Sequence, residues 1–182
     1  MGTYDARNIE KTNLAEEKPF DQRAHVHAML EELSDVMLTS FERTGDAPIA
    51  RARPMHVTHL DQDDSLWFMT SIDAEGTVEL QRTPTSSVIA QSSSSYVSLQ
   101  GKSTIVTDRT RIKAMWKKMH EVWFPDGPED PKVCLVHFVP TEADFWDVST
   151  TLGVKYLFQV AKALITGEPP KSDPKQHGSM KL

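Results

Sequence analysis

With 182 residues, 38% of them apolar and 25% charged, the chain has the length and composition of one globular domain with a single core. A net charge of −6 and a pI near 5.6 exclude a general attraction to nucleic acid or anionic membranes, so any bound anion must be held by a few local cations. No apolar run reaches the ~18 residues of a membrane span, and no basic-then-apolar leader opens the chain. The lone Cys134 cannot form an internal disulfide, and the expectation is a cytoplasmic protein.

Residues 1–20 are polar and aperiodic and read as an N-terminal arm. Over 21–37, Val26, Leu30, Leu33 and Met37 recur at helical spacing behind a capping Asp21, predicting an amphipathic helix. Leu38–Phe41 reads as a strand and Thr44–Pro48 as a turn. From Ile49 to His59 the chain alternates, with Arg51, Arg53, Met55 and Val57 on one face and Ala50, Ala52 and Pro54 on the other. A proline inside that run predicts an edge strand or a bulge. Leu66–Ser71 is its hairpin partner across the acidic turn Asp61–Ser65. A short helix over 74–82 stops before Pro84, and strands follow at Ser86–Gln91 and Tyr96–Thr107.

Asp108 caps a further amphipathic helix bearing Ile112, Met115, Trp116 and Met119. The segment Phe124–Pro131, with three prolines and a glycine, forbids regular structure. Val133–Val139 alternates as a strand, Glu142–Asp147 is a candidate extension, 152–165 reads as an apolar helix, and 167–182 has the composition of a disordered tail. The domain proper is therefore 21–166. Strands at short spacing with helices at the edges predict a mainly β, antiparallel sheet or small barrel.

Familiar chemistry is scarce. There is no Gly-x-Gly-x-x-Gly, no Walker loop and no His-Glu-x-x-His, and one cysteine cannot build a thiolate zinc site. His25 and His27 cannot face one ligand from a helix, and His56 and His59 lie on opposite strand faces, so no metal site is expected. Period two buries Cys134 with Val136 and Phe138 as a structural thiol. Ser92–Ser95 and the Asp61, Asp63, Asp64 turn read as solvated turns. Arg51 and Arg53 are different: two arginines on one strand face repel unless exposed or paired with an anion. Trp123 and Phe124 are also unusual, because a proline-rich loop rarely carries two large aromatics unless they pack on a partner or ligand.

Four motifs in order, Arg53-Pro54-Met55, Leu66-Trp67-Phe68-Met69-Thr70, Trp123-Phe124-Pro125-Asp126-Gly127 with Asp130-Pro131, and Phe145-Trp146-Asp147, resemble the general stress protein 26 family. That family belongs to the pyridoxamine 5'-phosphate oxidase-like flavin-binding split barrels. The resemblance implies a six-stranded antiparallel split β-barrel with flanking helices, forming a homodimer that holds FMN, or alternatively FAD, at the subunit interface. It places Arg53, Pro54 and Met55 beside the isoalloxazine ring, the arginine reaching ring or phosphate. Phe68, Met69 and Thr70 would lie along the ring and ribityl chain, with Thr70 and Ser71 toward the phosphate. Trp123 and Phe124 would arrive from the other subunit, with Trp146 near the same interface. Where many relatives carry a phosphate-pairing lysine, Thr77 is expected here, its hydroxyl and the helix N-terminus taking over the contact. Losing one charge-assisted bond weakens binding by about 1.5–3 kcal/mol, with Arg82 or Arg51 available to compensate.

The implied function is a flavin-binding stress protein acting as carrier or redox sensor. The alternative is an FMN-dependent oxidoreductase using a nicotinamide or other donor. Pyridoxamine phosphate oxidation is disfavoured because no arginine follows Arg111 to hold a substrate phosphate. A plain dimerisation module with surface arginines is the non-flavin reading.

Overall fold

Among the described residues, seven antiparallel strands follow one another in the spatial order β3-β2-β1-β4-β5-β6-β7, and β3 pairs back onto β6. They are β1 (Asp35–Thr44), β2 (Ala47–Leu60), β3 (Leu66–Ser71), β4 (Thr85–Gln91), β5 (Ser95–Val106), β6 (Val133–Asp147) and β7 (His177–Lys181). The β3–β6 pairing closes β1 to β6 into the expected six-stranded barrel, and β7 adds to the free edge of β6. Helices α1 (Gln22–Glu32), α2 (Glu75–Arg82) and α3 (Arg109–Met115) flank it. The computed structural model describes residues 19–44, 47–147 and 175–182; the arm before residue 19 and the helix expected over 152–165 lie outside them. Among the described residues no helix is long and apolar enough to cross a membrane.

Alternation fills the barrel. Val36, Leu38, Leu66, Phe68, Val88, Val97, Leu99, Val136, Phe138 and Phe145 form one buried cluster, closed by Val26, Met29 and Leu30 of α1. Each such side chain contributes about 1.5–3 kcal/mol on burial. A smaller cluster on the outside of β3 and β6 joins Trp67, Val133 and Leu135 to Ile112 of α3. The two predicted caps hold: Asp21 accepts from the Ala24 N–H at 3.1 Å, and Asp108 from the Arg111 N–H at 2.7 Å. The first helix is shorter than predicted. It ends at Glu32 because Asp35 onward pairs with both β2 and β4, which places Met37 on the outside of a strand. The third ends at Met115, and Met119 falls in a separate 3-10 turn, Lys118–Val122.

Two expectations are overturned. The β2–β3 turn is not simply solvated: Asp64 is 1% exposed and adopts φ 71°, a conformation Asp tolerates better than most residues. Its carboxylate takes Arg23 at 2.8 Å and His27 at 2.7 Å, tying α1 to the hairpin. The tail is also not structureless throughout, since His177–Lys181 forms β7 against Trp146–Glu142. Beyond the barrel half of β6, that edge has no β3 to pair with, and Met180 and Leu182 pack on the core. The polar composition of the tail concealed this period-two apolar pair.

Asp64→Ala removes the Arg23 ion pair and the His27 hydrogen bond and leaves a residue ill suited to positive φ. Denaturant unfolding is expected to show a loss of about 1.5–3 kcal/mol; a loss under about 0.5 kcal/mol, the usual size of a surface change, would show the turn to be solvated after all.

Candidate functional site

The site is made by the parting of β2 from β3. Every residue of β3 pairs with β6, but only Leu66, Trp67 and Phe68 pair with β2, and the register breaks between Val57 and His59. Val57 turns its N–H toward the β1 side, to the Ser34 carbonyl at 2.7 Å. Two-residue alternation therefore points the nitrogens of Pro54 and His56 toward the gap, and proline has no N–H to offer there. From Ala47 to His56, β2 has only β1 beside it, so the predicted edge and bulge are both present.

A cleft of about 350 Å³ fills this split, within the usual range of small-molecule sites. Pro54, Met55, His56 and Thr58 line it from β2, and Met69 and Thr70 from β3. The remaining wall is the segment after α3, through Met119, His120, Trp123 and Phe124. That segment is strapped down despite its prolines. Arg109 donates to the carbonyls of Pro128, Asp130 and Val133 at 3.3, 2.7 and 2.6 Å, and Lys117 Nζ donates to the Thr58 carbonyl at 2.9 Å. Phe124 packs inward near Trp116, while Trp123 stands at the rim, 75% exposed.

His120 is the cleft residue that the sequence reading missed. It is buried, and its Nδ1 accepts the Lys117 N–H at 2.9 Å, which leaves the ring proton on Nε2. Burial, with the Lys117 ammonium and His56 nearby, pushes its pKa below the ordinary histidine value. At neutral pH it is an uncharged imidazole with an N–H to donate. No motif marks it, and the helical spacing through Met119 hid the turn that holds it.

The expected site residues divide into groups. Pro54, Met55, Met69, Thr70, Trp123 and Phe124 meet in the cleft, and all six come from one chain, so Trp123 and Phe124 line their own chain's cleft, where the resemblance had them reach another subunit's. Phe68 does not line it. Alternation with Met69 sends it into the barrel, where it is fully buried. Ser71 is occupied locally: its carbonyl accepts the Thr77 hydroxyl at 2.8 Å, and its own hydroxyl accepts the Asp73 N–H at 3.4 Å. Thr77, so committed and buried, has no hydroxyl proton left for a phosphate. Trp146 lies on the outer half of β6 against His177. Cys134 is a buried thiol that burial pushes up to about 11, which makes it a poor nucleophile.

Arg53, expected beside the ring, does not line the cleft; it lines a smaller adjoining cavity under α2 that shares Met55 and Thr70 with it. Its Nη2 donates to Glu79 Oε2 at 2.6 Å and to the Ser40 hydroxyl at 3.1 Å. Ser40 in turn donates to Glu79 Oε2. Arg51 donates to Glu42 at 3.0 Å and stands 3.4 Å from Glu79 Oε1. The anion that two neighbouring arginines require is thus supplied by the chain itself. Burial pushes the Glu79 carboxyl up, but the Ser40 hydroxyl, Arg53 and Arg51 together hold it below the usual carboxylate range.

The family comparison fits this geometry. The family model "Pyridoxamine 5'-phosphate oxidase like" matches residues 21–171. Protein bli-3 of Neurospora crassa is 27% identical over 180 residues, covering 92% of this chain and 85% of that protein. A solved structure from Jannaschia sp. CCS1, assigned as a general stress protein 26, superposes with a TM-score of 0.64 at 24% identity, over 86% of this chain and 95% of the other. The general stress FMN/FAD binding protein of Xanthomonas citri gives 0.58 at 22% identity, over 70% and 89%. These two structures share the split-barrel fold; with the model match over most of its length, the chain belongs to the pyridoxamine 5'-phosphate oxidase-like family.

Proposed function

We propose that the cleft holds the isoalloxazine ring of a flavin, FMN or FAD, and that the protein works as a homodimeric flavin carrier or redox sensor. The observation that carries this reading is the convergence of Met55, Met69, Phe124 and Trp123 on one narrow cleft in the barrel's split. Thioether and aromatic groups on opposing walls suit a flat, polarisable ring, and Thr70 and the Pro54–His56 backbone give polar edges. The flavin named for the Xanthomonas citri protein, which shares the fold, supports the same ligand class. A second subunit suits the rim, where Val122 and Trp123 are 77% and 75% exposed side by side.

Titration with FMN, followed by quenching of flavin fluorescence, is expected to show saturable binding, and light scattering a mass twice the 20.5 kDa of one chain. Trp123→Ala should raise the dissociation constant about five- to tenfold, the worth of one aromatic contact. An unchanged constant would remove Trp123 from the ring site.

His120 favours a second reading, an oxidoreductase on the same cleft. A neutral imidazole that donates from Nε2 beside a flavin ring could hydrogen-bond to it or to a substrate acceptor. Flavin chemistry would supply the hydride transfer. Stopped-flow mixing of the flavin-loaded protein with NADH and NADPH distinguishes the two: bleaching of the bound flavin at turnover-competent rates supports the enzyme, and none supports the carrier.

A further inference from the structure

Arg51 and Arg53, on the strand that bounds the cleft, face a surplus of internal negative charge. Glu79 is 5% exposed and takes Arg53 at 2.6 Å on one oxygen and Arg51 at 3.4 Å on the other. Arg51 is also held by Glu42 at 3.0 Å, and Glu75, in the first turn of α2, acts on it electrostatically. Two guanidinium groups therefore contact two carboxylates with a third acting from nearby, and that third acid stands in the first turn of α2.

Space points the same way. The Arg53 guanidinium occupies the volume beside Gly76, where an added Cβ would lie 1.2 Å from Nη1. The absence of a side chain at position 76 is what lets Arg53 reach back to Glu79 under the helix. A phosphate monoester carries about −1.5 to −2 charges at pH 7. To take over the Arg53 Nη2 contact it would have to expel Glu79 from its partners, and on the rest of the guanidinium it would still lie beside a buried carboxylate.

We propose that Glu79 stands where a ligand phosphate would otherwise pair with Arg53, so that the site selects a flavin by its ring system and takes non-phosphorylated riboflavin as readily as FMN. The inference rests on the flavin reading of the cleft. It identifies the ligand class as the isoalloxazine with its ribityl chain, the phosphate contributing little. Arg51 and Arg53 then serve to hold α2 against β1 and β2 through Glu79 rather than to recruit an anion.

The test is a side-by-side titration of the full chain with riboflavin and with FMN, followed by calorimetry or flavin fluorescence. The wild-type dissociation constants are expected to agree within about threefold, whereas a free arginine–phosphate contact worth about 1.5–3 kcal/mol would favour FMN by about 10- to 150-fold. Glu79→Gln keeps a carbonyl acceptor for Arg53 and Ser40 and removes the charge. It should tighten FMN at least about tenfold and leave riboflavin unchanged. A wild-type preference for FMN above about tenfold, with riboflavin still bound, overturns the role of Glu79 while preserving the flavin site. Failure of both ligands to bind overturns the flavin site and this inference with it.

Discussion

The incomplete seam between β2 and β3 is the constraint on which the rest of the structure depends. A sheet closes into a barrel only while each strand finds two neighbours, and β3, six residues long, is paired along its whole length with β6 but with β2 only through its first three residues. A register break after Val57 and a proline with no donor at position 54 keep the seam from zipping further. The consequence is a gap whose walls are Met55 and Met69 in place of backbone hydrogen bonds, and over which the Arg109-strapped loop lays Phe124 and His120. Fold and site thus have one cause. Lengthening the pairing would strengthen the barrel and erase the cleft.

Beside this apolar cleft lies a polar device that stays internal to the protein. Arg53, Ser40 and Glu79 bind one another beneath α2, and Arg51 completes the set with Glu42. A buried ion group of this kind adds little net stability, but it fixes the helix at a defined place against the strands that bound the cleft. On the proposal above, the same glutamate sets which ligand charge the cleft tolerates.

Much of this was legible in the sequence. The hairpin partner Leu66–Ser71, the two aspartate caps and the bulge implied by Pro54 followed from local chemistry, which operates over a few residues and leaves a local signature. The six cleft residues came from motif order. What was not legible depended on distance. Glu79 looks like any exposed acid on a short helix until Ser40, Arg51 and Arg53 are brought beneath it from two strands. His120 gains its fixed tautomer from a backbone N–H three residues earlier in a turn that periodicity reads as helix. Phe68 was misplaced for a simpler reason: strict alternation with Met69 puts one of the pair in the barrel and the other in the cleft, and the motif alone assigned both to the ligand. Asp64 and β7 were missed because polar composition was equated with solvent, while buried pairing and a two-residue apolar pattern decided otherwise.

Methyl NMR of methionine-labelled protein shows whether a flavin ring lies in the split between β2 and β3. Met55, Met69 and Met119 line the cleft, whereas Met29 sits in the barrel core beneath α1 and Met180 on β7. Addition of riboflavin is predicted to shift the first three methyl resonances through the ring current and to leave those of Met29 and Met180 in place. Binding that leaves Met55, Met69 and Met119 unmoved would contradict the site.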